Sequence, residues 1–426
     1  MIEFLTPGQR IKKIRSMLNM KQHELQGERV KRNFISMIEN GKRGLSIDTA
    51  IYLADKFNNK ALELGINLNI NELDLLMSKE EEAKKYCLDI LSENVSLNDL
   101  DQILNISIRF NLDEIESLAQ LKKGDYYFDI KDYSKAVIYY VGALSKIVNN
   151  THKQYETYLF NRMGLCKLNE MYYIEALEFF NKAYTLSIES NDLSISKNSI
   201  YNISLCYRKL NDFDRAIKYI DKFLTMCDAD TEYTYYVYAM IIKANCWRDL
   251  KQFDNALEIY QNLLPTFKNK KSTPVDAYIY DNLGLLYSDY MDYEKALECL
   301  DKSQSVRTEI DIENLAKSLI DKSIILAKQE KYSEALILIN IGIDMAKKYN
   351  DYEYQLKGYL LQIDIYEKIG EIKNLERAYE KVFFIVKEKK DYKAILNIST
   401  KLCLIYLEEN NIDKVKELLK NHCFDI

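Results

Sequence analysis

Three polar side chains near the start of the chain, Arg32, Asn33 and Ser36, are suited to reading nucleic-acid bases. An arginine can donate two hydrogen bonds to the major-groove edge of guanine, and an asparagine can pair with adenine in the same bidentate way. The three share one side of a predicted helix, while Ile35 and Ile38 lie on another side and can seal a small bundle. The pattern predicts a helix that presents base-reading groups to the major groove of duplex DNA.

A second set of polar side chains, in the body of the chain, could bind a peptide. Asn202 and Asn282 hold the same position of two predicted helices that lie two repeats apart. An amide offers a donor and an acceptor together, so it can pair with the N–H and the C=O of an extended peptide of any sequence. The candidates on this side are Arg162, Asn198, Asn202, Lys209, Tyr238, Asn245, Tyr278, Asn282, Asp289 and Lys317. The alternative interpretation is ordinary solvated surface.

The elements that must position these side chains repeat every 40 residues. A small or apolar residue recurs in eight segments, and an aromatic or branched apolar residue stands three positions before each; the recurring residues are Ala136, Ala176, Ala216, Ala256, Ala296, Ala335, Leu375 and Val415. Only 3 Pro and 12 Gly interrupt the 426 residues, which favours an all-helical chain. A stack of such helical units presents a long concave surface, which favours a binding protein over an enzyme.

Composition and motifs exclude several classes of function. We find no phosphate-binding loop, dinucleotide fingerprint, nucleophile elbow or zinc-protease motif, and the three histidines are not at metal spacing, so we expect no enzyme, cofactor or metal site. Residues 1–60 carry 12 Lys and Arg against 6 Asp and Glu, a balance of +6, whereas the rest of the chain carries −12. A basic head on an acidic body predicts that only the head contacts a polyanion.

Cysteine usage and the lack of long apolar runs indicate a cytoplasmic protein. The eight cysteines form no C-x-x-C pair, and Cys166, Cys206 and Cys246 hold one position of three successive repeats, where a small apolar thiol can pack. No apolar run approaches the roughly 20 residues of a membrane span, and the first residues do not have the pattern of a signal peptide. We therefore expect a cytoplasmic location, reduced thiols and no membrane contact.

The first 62 residues resemble a known DNA-binding domain. Thr6 is predicted to cap a first helix with Pro7 and Gln9, a short helix follows from Gln22 to Gln26, and further helices are predicted for about 31–40 and 47–57. Gln22-His23-Glu24-Leu25 and the segment from Phe34 to Arg43 resemble the phage-repressor (Xre/Cro-type) helix-turn-helix. The resemblance implies that Gln22 contacts a phosphate and that Lys31, Lys42 and Arg43 lie beside the DNA backbone, with Arg32, Asn33 and Ser36 at the bases.

One segment departs from the pattern of that family. Gln26 and Glu28-Arg29-Val30-Lys31 stand where the family usually has Ala and a Gly–apolar–Ser turn. We therefore expect a turn that is built differently. A basic helical bundle that docks a protein instead of DNA is the alternative for this head.

The body resembles a tetratricopeptide-repeat array. Gly124, Tyr127, Ala136, Tyr140 and Ala143 match the spacing of that repeat, although the period here is 40 residues instead of the usual 34. Asn58-Asn59, Gly65 and Asn67 interrupt the helical pattern before it. The predicted organisation is a helix-turn-helix domain over residues 1–62, a linker and degenerate first repeat over 63–117, and a repeat domain for peptide binding and dimerisation over 118–426.

A phage-repressor-type head joined to tetratricopeptide repeats resembles the peptide-pheromone-responsive quorum-sensing regulators, the Rap/Rgg/NprR/PlcR/PrgX group. The resemblance implies an all-α cytosolic homodimer that binds a short signalling peptide in the repeat superhelix and a double-stranded DNA operator with its head. Two alternatives stay open. The first is a Rap- or NprR-like protein that binds a response regulator or phosphotransfer protein, and the second is a protein-interaction scaffold.

Overall fold

The computed structural model describes residues 2–27, 30–93, 95–147, 153–229, 231–263, 273–388 and 392–420. All regular structure in these ranges is helical, which confirms the predicted all-α class. Contacts group the chain into two compact units. The first contains Met1–Asn169 with Lys182–Asp192, and the second contains Glu170–Asn181 with Leu193–Ile426. The predicted boundaries after residues 62 and 117 remain predictions.

The head is a bundle of short helices: α1 (Pro7–Met17), a 3₁₀ turn (Gln22–Leu25), α2 (Arg32–Glu39), α3 (Ile47–Glu63) and α4 (Glu72–Leu76). The predicted cap of α1 is present, because the Gln9 backbone N–H donates to Thr6 Oγ1 at 3.3 Å and the Thr6 N–H donates to Gln9 Oε1 at 2.9 Å. Gly41 follows α2 with φ of +69°, a left-handed conformation that glycine adopts without strain.

Helix α3 is longer than the sequence predicted. We expected it to end near Phe57, because two asparagines follow, but it continues to Glu63. The Asn58 amide lies inside the helix, donates to the Ile70 carbonyl at 2.8 Å and accepts from the Ile70 N–H at 3.0 Å. A contact across the following loop therefore outweighs the low helix propensity of asparagine. Leu75 of α4 packs in the same core as α1, α2 and α3.

The N-terminal residues 2–5 attach the head to the helices that follow it. These helices are α5 (Lys79–Leu91) and α6 (Leu97–Phe110). Phe4 is buried in edge-to-face contact with Tyr86 and Phe110, at ring-centroid distances of 5.8 and 5.4 Å. Arg10 of α1 forms an ion pair with Glu82 of α5 at 3.0 Å. The sequence pattern gave no sign of this attachment.

The body alternates eight first helices with eight second helices. The first helices are α7 (Asp113–Asp129), α9 (Lys153–Asn169), α11 (Leu193–Lys209), α13 (Tyr233–Asp249), α15 (Pro274–Asp289), α17 (Leu315–Lys328), α19 (Tyr352–Ile369) and α21 (Tyr392–Glu408). The second helices are α8 (Tyr133–Ser145), α10 (Tyr173–Glu189), α12 (Phe213–Met226), α14 (Phe253–Leu263), α16 (Tyr293–Ile310), α18 (Tyr332–Lys348), α20 (Ile372–Glu388) and α22 (Ile412–Lys420).

The repeated positions of the sequence coincide with repeated positions of the fold. The aromatic or branched column supplies the first residue of every second helix, and the alanines three positions later are fully buried. A residue with positive φ stands in each turn from a first helix to a second, namely Lys131, Met171, Asn211, Lys251, Met291, Glu330, Gly370 and Asn410. Helices of 17 residues, as in α10 and α11, joined by three-residue turns explain the 40-residue period.

Close packing within a pair predicts the effect of enlarging the alanine column. Ala216 on α12 is 0% exposed, and α12 packs against α11. Replacing Ala216 by Leu inserts three carbon atoms where no space exists, so we expect a loss of about 1–3 kcal/mol in stability. Thermal melting followed by circular dichroism measures the loss, with Lys218→Leu on the exposed side of the same helix as the control. An unchanged melting temperature for Ala216→Leu would contradict the repeat register.

Candidate functional site

The candidate DNA-reading side chains lie on the exposed side of α2. Arg32 and Asn33 occupy its first turn and are exposed, and in the described part of the chain neither side chain forms a hydrogen bond. Lys31 precedes the helix and is exposed as well. Lys42 and Arg43 follow the helix, and the Arg43 guanidinium lies 4.6 Å from the centre of the Phe34 ring. Ser36 is half-buried, and its hydroxyl accepts from the Asn40 amide at 3.4 Å.

A buried carboxylate holds α1, the 3₁₀ turn and α2 together. Glu39 is 6% exposed and accepts from Arg15 Nε at 2.6 Å and from Gln22 Nε2 at 2.7 Å. The hydrogen bond that Arg15 donates to Glu39 raises the pKa of Arg15 above its ordinary value. Gln22, which the resemblance assigns to a phosphate, is therefore oriented by Glu39 of α2. Glu39 was not among the predicted site residues, although a glutamate at the end of an apolar helix face could have been recognised in the sequence.

The segment before α2, for which we expected an unusual turn, is closed by two backbone hydrogen bonds. The Gly27 N–H donates to the Val30 carbonyl at 3.0 Å, and the Val30 N–H donates back at 3.3 Å. The Tyr52 hydroxyl donates to the Gln26 carbonyl at 2.6 Å and lies so close to Gly27 that a Cβ there would be 2.4 Å from it. A larger residue at this point would therefore require the Tyr52 ring to move. Glu28 and Arg29 lie outside the described residues.

In the second unit, one position of successive first helices forms a line, here called the inner line: Asn198, Tyr238, Tyr278, Lys317 and Lys357. The rings of Tyr238 and Tyr278 meet edge to face with centroids 5.9 Å apart. Lys317 Nζ lies 5.3 Å from the centre of the Tyr278 ring and 3.3 Å from its hydroxyl. Asn198 is exposed, and the other four are half-buried. Four of the five members were predicted, and Lys357 was not.

The two asparagines at the equivalent position differ in their surroundings. Asn202 is 7% exposed, and its amide has no hydrogen-bond partner in the part of the chain that the structure describes. Asn282 is half-buried and donates from Nδ2 to the Tyr278 carbonyl of its own helix at 2.7 Å. We expected both on open surface, and Asn202 is far less exposed than that. Although the residue is mostly buried, its amide atoms still reach solvent, so they can donate to and accept from a ligand.

Asn245 has a structural contact that the sequence did not predict. It is 5% exposed, and its Oδ1 accepts from the hydroxyl of the fully buried Tyr260 at 2.9 Å. This contact joins α13 to α14, so the side chain belongs to the packing between two helices. We therefore leave Asn245 out of the candidate peptide site.

The charged candidates of the second unit are held in ion pairs. Lys209 of α11 contacts Glu353 of α19 at 2.5 Å, although 144 residues separate them. Burial raises the pKa of Glu353, but Lys209, Lys317 and Lys357 together lower it by more than burial raises it. Its pKa therefore lies below the ordinary value. Asp289 forms ion pairs with Arg248 at 2.9 Å and with Lys328 at 3.4 Å. Asp289 thus joins adjacent repeats, and Lys209 joins two distant first helices, in addition to any role in binding.

Arg162 is located in the first unit and is held there by its neighbours. Its guanidinium contacts Asp125 at 3.0 Å and stacks on the Phe128 ring at 3.8 Å. The hydroxyls of Tyr140 and Tyr158 both donate to the same carboxylate, at 2.7 and 3.0 Å. Burial, followed by the charge of Asp125, raises the pKa of Tyr158 to about 12. This cluster explains the position of Arg162 without a ligand.

A fully buried arginine lies against Tyr278 of the inner line. It was not predicted from the sequence. Arg307 of α16 is 0% exposed, lies 4.5 Å from the centre of the Tyr278 ring and donates to Asp281 at 2.6 Å and to Ser318 at 2.9 Å. A buried cation is tolerated only when its donors are satisfied, and Arg307 meets this condition with carboxylates and a hydroxyl. The result is a rigid support beneath Tyr278.

The cysteine column is buried as predicted, and the described residues hold no candidate metal site. Cys206 and Cys246 are 0% exposed, and burial raises the pKa of each thiol to about 12. No group of three or more His, Cys, Asp or Glu side chains in the described ranges could hold a metal ion. His152 and His422 lie outside those ranges. No helix among the described residues is long and apolar enough to cross a membrane.

Comparison with known proteins agrees with this architecture. Residues 8–81 match a helix-turn-helix domain family, and residues 198–230 match a tetratricopeptide repeat. These matches agree with an N-terminal helix-turn-helix domain followed by helical repeats. The apo form of the quorum sensor NprR from B. thuringiensis is 19% identical and superposes with a TM-score of 0.50 over 80% of this chain and 97% of that one. This likeness shows the fold.

Two further known proteins are similar to more than half of this chain. NprR in complex with its cognate peptide NprX is 21% identical, with a TM-score of 0.50 over 71% of this chain and 88% of that one. Response regulator aspartate phosphatase I of Bacillus subtilis (strain 168) is 22% identical over 258 residues, which are 60% of this chain and 65% of the relative, slightly less than two thirds of its length. These likenesses agree with the fold that the resemblance implied.

Proposed function

We propose that this protein is a transcriptional regulator that binds operator DNA with its head and a short linear signalling peptide along the inner line. The observation that supports the proposal is the presence, in one chain, of exposed side chains suited to base reading on α2 and, on α11, of Asn202, whose amide has no hydrogen-bond partner within the described residues. At each of these two places, side-chain donors and acceptors make no hydrogen bond within the described part of the chain. These two roles require a cytoplasmic location, where the DNA and an imported peptide meet.

The head has the charge and the geometry for DNA. Arg32 and Asn33 project from the first turn of α2, the part of a recognition helix that approaches the base edges. Lys31, Lys42 and Arg43 are exposed on either side of that helix and can neutralise phosphates, which supplies affinity independent of sequence. Glu39 fixes the 3₁₀ turn against α2, so the phosphate-contacting and base-reading groups are held as one surface.

DNA binding is tested with fragments from the protein's own genomic locus. Arg32→Ala or Asn33→Ala should reduce the preference for the specific fragment by about 1–3 kcal/mol per lost bidentate contact. Lys42→Ala should weaken all sequences alike and lower the slope of affinity against salt by about one ion. Fluorescence anisotropy at several salt concentrations measures both effects. Absence of any salt-sensitive complex, with and without peptide, would remove the DNA-binding part of the proposal.

The inner line suits an extended peptide backbone. Asn202 can donate and accept at once, and the Oδ1 of Asn282 is not used by the hydrogen bond that its Nδ2 makes. A peptide advances about 3.3 Å per residue, so roughly 5–10 residues would cover the helices from α11 to α17. Tyr238 and Tyr278 offer half-buried rings to a side chain between these ends.

Peptide binding is tested by calorimetry with synthetic peptides from small open reading frames next to the gene. Asn202→Ala and Asn282→Ala should each weaken binding several-fold, because each lost net hydrogen bond contributes about 1 kcal/mol. The melting temperature and the affinity for DNA without peptide should stay unchanged. Asn245→Ala is the matched control: it leaves the Tyr260 hydroxyl without its partner, so it should lower the melting temperature instead. Unchanged peptide affinity in the Asn202→Ala/Asn282→Ala double variant would place the site elsewhere.

We also propose that two copies associate through the last first helix, α21. Lys197 of α11 contacts Glu232, which directly precedes α13, and Arg208 of α11 contacts Asp249 within α13. This side of a first helix therefore packs on the following pair. The equivalent positions of α21 are Leu396 and Leu407, which are exposed together with Leu404. A twofold axis brings the same patch of two copies together, so this apolar face can be buried against its own copy, and helix-turn-helix heads bind two half-sites as dimers.

Light scattering checks this association. The unmodified protein should be a dimer, and the Leu396→Glu/Leu404→Glu variant should be a monomer with an unchanged melting temperature, because charged groups cannot be buried without partners. Ile138→Glu, at an exposed apolar position of α8, is the control and should remain dimeric. A dimer that survives both glutamates would show that the association uses another surface.

A second candidate function is favoured by one relative. Response regulator aspartate phosphatase I is similar over 60% of this chain, so the repeat array could bind a response regulator or a phosphotransfer protein. Loss of phosphate from a phosphorylated response regulator on addition of this protein would support that function. No effect on phosphorylation, together with specific DNA binding, would favour the regulator.

A further inference from the structure

Lys317 is exceptional among the cations of the inner line and its neighbours because it has no carboxylate partner. Lys209 contacts Glu353, Lys357 contacts Asp321 at 2.5 Å, and Lys328 contacts Asp289 at 3.4 Å. Within the described residues, no Asp or Glu lies within ion-pair distance of Lys317. Its only polar contact there is the Tyr278 hydroxyl at 3.3 Å.

The surroundings of Lys317 hold the ammonium group in place without neutralising it. Its Nζ lies 5.3 Å from the centre of the Tyr278 ring and 5.6 Å from that of Tyr354. Two aromatic faces stabilise a cation and restrict its position, but they leave its remaining N–H groups free to donate. Glu353, whose charge acts on Lys317, has Oε1 bound by Lys209. The nearby carboxylates are therefore already engaged with other lysines.

We propose that Lys317, between Tyr278 and Tyr354, is a subsite for a carboxylate of the bound peptide. This inference rests on the proposed peptide-binding function and specifies the class of ligand. A carboxylate at this point receives a charge-assisted hydrogen bond from an ammonium that is already oriented, which is a stronger contact than a neutral hydrogen bond. The partly buried location also reduces screening by water and salt.

The order of residues along the inner line gives the ligand a direction. Asn198 lies on α11, with Asn202 one turn further along the same helix, the aromatic rings of Tyr238 and Tyr278 lie on α13 and α15, and the unpaired cation lies on α17. A peptide that contacts all three sets of residues would have its backbone at α11, an apolar or aromatic side chain at the tyrosines, and its carboxylate at Lys317. The carboxylate comes either from the C-terminus or from an Asp or Glu side chain.

The experiment uses the full-length protein and a pool of random hexapeptides. The pool is synthesised twice, once with free C-terminal carboxylates and once with C-terminal amides. Gel filtration separates retained peptides, and mass spectrometry identifies them. Retention mainly from the free pool indicates the C-terminal carboxylate, whereas enrichment of Asp or Glu in peptides retained from the amidated pool indicates an acidic side chain. Either result supports a carboxylate subsite, and apolar residues should be enriched next to the acidic group.

Variants then assign the contact to Lys317. For the most strongly retained peptide, Lys317→Met should raise the dissociation constant about tenfold, the usual size of one lost charge-assisted contact. Lys317→Arg keeps the charge and should stay within about threefold of the unmodified protein. Lys322→Met is the control, because Lys322 lies on the same helix but is paired with Asp301 of α16. Melting curves confirm that each variant is folded.

The possible failures are distinguishable. If neither pool yields retained peptides, the proposed peptide-binding function is wrong and the subsite with it. If peptides are retained without any preference for carboxylates, and Lys317→Met retains the same set as the unmodified protein, peptide binding stands and the carboxylate subsite is overturned. Equal losses in Lys317→Met and Lys322→Met would also overturn the subsite.

Discussion

The close approach of the two helices in each repeat is the constraint on which the inner surface depends. The fully buried alanines near the start of the second helices permit this approach, and a left-handed residue in every turn sets the angle at which the second helix leaves. Because the same turn and the same contact recur, equivalent residues of successive first helices are aligned. The line from Asn198 to Lys357 exists because of that alignment, since no single helix carries more than one of its members.

Periodic and local features could be predicted from the sequence, whereas contacts between distant segments could not. The start of each second helix, the buried alanine and cysteine columns, the Thr6 cap and the left-handed Gly41 depend on neighbours a few residues away or on repetition. The length of α3 depends on a contact with Ile70, and the burial of Asn245 depends on Tyr260. Helical periodicity gives the side of a helix but not its partner, so an asparagine that binds a ligand and one that binds a buried tyrosine have the same pattern.

Polar groups in the interior give the inner line its rigidity. A buried ion pair adds little net stability, because removing both charges from water costs about as much as their attraction returns. Arg307 is nevertheless fully buried, with Asp281, Ser318 and the face of Tyr278 around it. Such a network permits few alternative arrangements of the rings, so a peptide that contacts Tyr278, as proposed, would meet a ring that is already ordered. A site prepared in this way binds with a smaller loss of conformational entropy.

The ion pair between Lys209 and Glu353 bears on how binding could change the shape of the second unit. It joins α11 to α19 across three intervening first helices, whereas the other ion pairs named along this surface join adjacent repeats. A partly exposed ion pair is worth at most about 1 kcal/mol, so it biases the spacing of the array without locking it. A ligand shifts such an equilibrium only by the difference between its affinities for the two arrangements. A peptide that contacts α11 and α17 together satisfies this condition, because its binding energy depends on the distance between those helices. If the ion pair were stronger, it would hold α11 and α19 in a single arrangement. Ligand binding would then have no equilibrium to shift.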